Sequence, residues 1–158
     1  MLRMSKMADY GTVILTTMVR EPERIQSAAG IAAVIRVPVP TVSKILKILS
    51  REGLVVSLRG AKGGYLLSRP PSQITVSQII NAMDGPIGMT ECSITPGLCS
   101  QESGCPVRAN WQRVNRIVLN ALDQITLDQM IQPVAETVET IDISALRRPQ
   151  PATVAITE

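Results

Sequence analysis

Three cysteines, Cys92, Cys99 and Cys105, sit in the stretch ECSITPGLCSQESGC, and the chain holds no further cysteine and no histidine. Whatever soft-metal chemistry the protein performs therefore belongs to this stretch. Six residues separate the first pair and five the second, and Pro96, Gly97 and Gly104 work against helix and leave the segment free to turn its thiolates inward. An odd number of cysteines in a reducing compartment cannot pair completely, so metal binding or redox reactivity ranks above a disulfide framework.

Three thiolates suit either zinc or an iron-sulfur cluster. Structural zinc favours closely spaced cysteine pairs and four strong ligands, which this stretch does not supply. A fourth ligand of oxygen type, on a cluster otherwise held by sulfur, exchanges readily and leaves iron open to oxygen, peroxide or nitric oxide. Lability of that kind suits a sensor better than an electron carrier. Glu91 and Glu102 flank the cysteines as nearby carboxylates. A nucleotide-binding glycine loop, a Cys-His nucleophile pair and a fourth cysteine are all missing, which argues against an enzyme.

The elements that must carry this stretch follow from periodicity. With 158 residues, 45% hydrophobic and no phenylalanine, the chain has enough Val, Ile, Leu, Met and Ala for one helix-on-helix core. Ser5 is placed to cap a helix over 6–19, and Ser27 one over 28–35. The prolines of RVPVP predict extended backbone up to Pro40, then a helix over 41–51 stopped by Gly53. Strands are expected over 54–58 and 65–68, and Thr75 is placed to cap a helix over 76–83. Pro106 reads as the first residue of a long helix reaching about Leu122.

On the helix over 41–51, Thr41, Ser43, Lys44, Lys47 and Arg51 lie off the apolar stripe, short hydroxyls and long cations suited to a major groove. The following hairpin carries Arg59 and Lys62 in its glycine-rich tip. Three helices, the last one cationic, then a basic hairpin, give the order of a winged helix-turn-helix. Charge agrees: residues 1–75 carry eleven Lys or Arg against four acids, net +7, and residues 76–158 carry five against nine, net −4. A polyanion, double-stranded DNA, is the expected partner of the first half. In the long helix Val107, Trp111, Val114, Val118 and Ala121 recur at steps of four and three, a seam that predicts pairing with a second copy.

The expectation is a mainly α chain with a small β-hairpin wing: a winged helix-turn-helix DNA-binding domain over 1–74, a cysteine loop and dimerisation helix over 75–132, and a flexible tail over 133–158. With no apolar run long enough to span a membrane and no signal-peptide pattern, a cytoplasmic protein without membrane or small-molecule partners is expected.

The segments MLRMSKMADYGTVIL, VPVPTVSKILKILSREGLV, RGAKGGYLLSRPP, ITVSQIINAMDGPI and TECSITPGLCSQESGCPVRANWQRVN carry a specific resemblance. Over residues 1–132 the chain resembles the iron-sulfur-sensing winged helix-turn-helix regulators of bacteria, most of all the branch that regulates SUF cluster assembly. The resemblance implies a homodimer on an operator of two half-sites, with an iron-sulfur cluster in each subunit, [2Fe-2S] rather than [4Fe-4S], that alters DNA affinity. It places Cys92, Cys99 and Cys105 as ligands, and Thr41, Ser43, Lys44 and Arg59 at the DNA. One branch uses a histidine three residues past the last cysteine, where this chain has Arg108. Others take a carboxylate near the partner's N-terminus, a position matched by Asp9. A DNA-binding protein with a direct thiol, nitric-oxide or zinc switch and no cluster is the alternative.

Overall fold

The first helix, α1 (Lys6–Val19), starts where its cap dictates: the Ser5 hydroxyl accepts the Ala8 N–H at 3.0 Å. Ser27 does the same for the Gly30 N–H at the start of α2 (Ala28–Ile35). Both helices have the limits that the sequence predicts. The computed structural model describes residues 4–60 and 62–133.

The third helix, α3 (Val39–Arg51), begins two residues before the predicted Thr41, with Val39 and Pro40 inside its first turn. Proline is tolerated there because the first N–H groups of a helix lack intrahelical acceptors in any case, and the ring holds φ near the helical value. At the other end Gly53, at φ 72°, donates to the Ser50 carbonyl, and Leu54 donates to Leu49 at 2.9 Å, a Schellman turn. Leu54 is used by that turn, so β1 (Val55–Leu58) starts one residue later than predicted. Its antiparallel partner β2 (Gly64–Leu67) starts one residue earlier, because Gly64 pairs with Leu58.

Thr75 and Gln78 form a reciprocal capping box at the start of α4 (Val76–Asp84). The cysteine stretch, predicted to be free of helix, contains one short helix, α5 (Glu91–Ile94), with Cys92 in it. The long helix α6 spans Arg108–Gln124, so Pro106 is not its first residue. Instead Arg108 donates its N–H to the Cys105 carbonyl at 3.4 Å, which closes a turn in which proline fits the second position equally well.

Ile14, Leu15 and Met18 of α1, Ile31 of α2, and Val42, Ile45, Leu46 and Leu49 of α3 form the core with Ile74, Ile79 and Leu127. The last of these arrives from beyond α6, where Val76 donates to Ile125 and Leu127 donates to Ile74 at 2.8 Å. Packing thus runs straight across residue 74, the boundary that the sequence suggested. Of the expected flexible tail, residues 134–158 lie outside those described. Among the described residues no single helix is long and apolar enough to cross a membrane.

Candidate nucleic-acid interface and cysteine segment

Helices α2 and α3 turn through 118° across the three residues Arg36, Val37 and Pro38. That angle and that short break are those of a helix-turn-helix unit. Val42, Ile45, Leu46 and Leu49 are fully buried and fix α3 on the core. With that face committed, Lys44 and Lys47 project into solvent, and Thr41 and Ser43 lie half-buried at the edges. Among the described residues none of Lys44, Lys47, Arg59 and Lys62 is in an ion pair, whereas Arg51 is paired with Glu52. Unpaired cations on a rigid helix remain available to phosphate.

The hairpin is held at its base. Gln26 and Tyr65 exchange two backbone hydrogen bonds, of 3.0 and 2.9 Å, which tie β2 to the connection between α1 and α2. Glycine is required beside this junction: a Cβ on Gly64 would lie 2.6 Å from the Gln26 carbonyl oxygen, and one on Gly63 2.4 Å from that of Leu58. Arg59 and Lys62 are thereby presented, exposed, on the tip of a hairpin tied down at its base. The structure brings these two cations and the α3 hydroxyls and cations into the one helix-turn-helix and hairpin unit.

The cysteine segment is built differently. It hangs from α4 and α6 by side chains: the Asn81 amide oxygen accepts the Ile87 N–H at 3.1 Å, and that of Asn115 accepts the Met89 N–H at 3.0 Å. Cys92 is buried, with its sulfur 3.2 Å from the Thr90 hydroxyl, and it borders a cavity of about 360 Å³ lined also by Pro96, Gln112 and Asn115. Cys99 and Cys105 are half-buried, and all three thiols are free. Between the last two, Glu102 accepts the Gly97 N–H and pairs with Arg108, whose Nε is buried with no hydrogen-bond partner among the described residues.

Donor type fits an iron-sulfur centre, since three unpaired thiols lie on one segment, but their number leaves it one ligand short of four. Among the described residues, however, no three Cys, Asp or Glu side chains are gathered into a set that could hold a metal ion. Asp9 lies exposed in the first turn of α1, where a negative charge complements the helix dipole. The α1 N-terminus is itself linked to the cysteine side of the molecule, because Asp84 at the end of α4 accepts both the backbone N–H and the hydroxyl of Ser5.

Along α6, Gln112, Asn115, Leu119 and Leu122 face the body of the protein, with Asn115 fully enclosed. Trp111, Val114 and Ala121 are exposed and Val118 is half-exposed, while Val107, also exposed, lies at the cap position just outside the helix. The predicted seam is thus an uncovered apolar row. Glu102–Arg108, Asn115 and Asp84–Ser5 were not anticipated as organising contacts. Only the first had a usable signal, opposite charges on either side of a helix start.

Residues 4–133 match the Rrf2 family, described as iron-dependent transcriptional regulators. The chain belongs to the Rrf2 family. As an Rrf2 protein it is a DNA-binding transcriptional regulator of the winged-helix type, not an enzyme. Among its relatives, an HTH-type transcriptional regulator of Aquifex aeolicus is 26% identical over 124 residues, 77% of this chain and 86% of that protein. The regulator IscR of Pectobacterium carotovorum is 34% identical over 83 residues, 52% of this chain but only 50% of that protein. In solved structures the same fold occurs in CymR, the global cysteine regulator of B. subtilis, with TM-score 0.65, 30% identity and coverage of 83% of this chain and 97% of that one. The IscR of T. potens follows with TM-score 0.62, 27% identity and coverage of 82% and 86%.

Proposed function

We propose that this Rrf2 protein is a cytoplasmic homodimeric repressor of iron-sulfur cluster assembly genes whose operator affinity is set by an iron-sulfur cluster on Cys92, Cys99 and Cys105. The observation that carries this reading is the set of three free thiols on one segment, in a chain of an iron-dependent regulator family that has no histidine. Asp9 from the partner subunit is the proposed fourth ligand, and [2Fe-2S] the favoured cluster. When bound, such a group supplies iron that reacts with oxidants or nitric oxide.

The chain's own residues provide the coupling. The segment is attached to α4 through Asn81 and to α6 through Asn115, and α4 packs on both α1 and α3. A change in the segment therefore reaches the recognition helices through α4, and the spacing of the two copies through α6. Val107, Trp111, Val114, Val118 and Ala121 form the dimer seam. Thr41, Ser43, Lys44, Lys47, Arg59 and Lys62 contact operator DNA. A typical coupling of roughly 1–3 kcal/mol corresponds to about a 5- to 150-fold change in affinity.

The deciding experiment measures iron and acid-labile sulfide per monomer, with the visible spectrum, on protein purified without oxygen. Iron and sulfide in equal amounts, lost in the Cys92→Ala, Cys99→Ala and Cys105→Ala variants, support the reading. Colourless protein that resists reconstitution overturns it. The second reading is a thiol, nitric-oxide or zinc switch without a cluster; its thiol and nitric-oxide forms, which need no shared ligand set, are favoured by the three thiols not being gathered into one. DNA binding that responds to dithiothreitol in iron-free protein would establish it.

A further inference from the structure

We infer that the N-terminal turn of α3 reads thymine methyl groups in the operator, with Val39 as the residue that sets this preference. The inference rests on the DNA-binding reading of α3 and adds to it the chemistry of what is recognised.

Helices α1, α2 and α4 each begin on a serine or threonine whose hydroxyl takes up a backbone N–H. The α3 helix, like α6, begins on an apolar residue, here Pro38, with no side-chain cap and no acidic residue in its first turn. Pro38, Val39 and Pro40 are all exposed, Val39 at 45%. The start of α3 is thus exposed apolar surface, directly after the 118° turn from α2.

In helix-turn-helix proteins the N-terminal residues of the second helix are those that meet base edges. The major groove offers one apolar feature, the thymine C5-methyl, and apolar side chains pack against it. Around the tip, Thr41, Ser43, Lys44 and Lys47 are polar or cationic, and the exposed cations hold phosphate and fix the register. An apolar tip inside a cationic face matches a methyl group flanked by phosphates. Val39 enters the argument only because the helix begins two residues earlier than the sequence suggests.

The test selects a binding duplex from a random pool with the wild-type protein, then replaces each thymidine in turn by deoxyuridine, which removes only the methyl. Affinities are compared at one fixed salt concentration, for wild type and Val39→Ala. One thymine in each half-site should lose about fourfold in affinity on replacement, as for one buried methyl group. In Val39→Ala that loss should vanish, with thermal unfolding and binding to unrelated DNA unchanged. Wild-type binding indifferent to every replacement, or a loss equally large in Val39→Ala, overturns the inference while leaving DNA binding intact. Failure to enrich any duplex overturns the DNA-binding reading, and the inference with it.

Discussion

The recognition helix and the cysteine segment are held by opposite means. In α3 four apolar side chains are fully buried, and the helix can move only if the core moves. From 85 to 107 the described chain contributes one buried side chain, Cys92, and relies on backbone N–H groups donated to Asn81 and Asn115 and on the Glu102–Arg108 pair. Close packing resists small displacements, whereas isolated polar contacts can be exchanged one at a time. The proposed DNA-reading surface is therefore fixed by core packing, whereas the segment that carries the thiols is held by a few polar contacts.

The contrast can be broken or sharpened by substitution. Leu46→Ala should destabilise the whole protein by about 2–5 kcal/mol in urea unfolding, because it leaves a cavity in the core; a loss under about 1 kcal/mol would mean that α3 is not rigidly held. Asn115→Ala removes the acceptor of the Met89 N–H, and should cost about 1–3 kcal/mol while making the cysteine segment more sensitive to protease. Unchanged proteolysis would show that Asn115 does not anchor it. Glu102→Gln should cost about 1 kcal/mol of global stability: the Glu102 side chain is only 10% exposed, but Arg108 at 39% is partly screened by solvent and the new amide oxygen can still accept the Gly97 N–H. Faster cleavage near residue 97 is its expected signature. Lys44→Ala and Arg59→Ala should leave stability within about 0.5 kcal/mol, yet each weakens DNA binding and lowers the salt slope by about one. An unaltered slope would place the DNA surface elsewhere. Trp111→Glu should shift sedimentation to that of a monomer and make the unfolding midpoint independent of protein concentration, whereas that of the wild type should rise with concentration.

Most of the helical framework was legible because its signals are local. Ser5 and Ser27 give the starts of α1 and α2, and Thr75 with Gln78 that of α4. Errors occurred where proline admits two placements: Pro40 proved to lie inside α3, and Pro106 in a turn ahead of α6. The candidate surfaces were readable from charge and from cysteine spacing. What joins them was not, because Ser5 meets Asp84 across 79 positions and Met89 meets Asn115 across 26, and no window of local sequence contains both partners.

Leu127, buried to 0% in the core, has a consequence for how the protein can be divided. The last described stretch of chain returns to complete the hydrophobic interior of the first, so a fragment ending at residue 74 would expose the space that Ile79 and Leu127 occupy. The cysteine segment and the helix-turn-helix unit are consequently not interchangeable modules. A graft of this cysteine segment onto another winged helix would need to bring its own plug, and a cell that degrades the chain from its C-terminal side would disable DNA binding once it had passed residue 127.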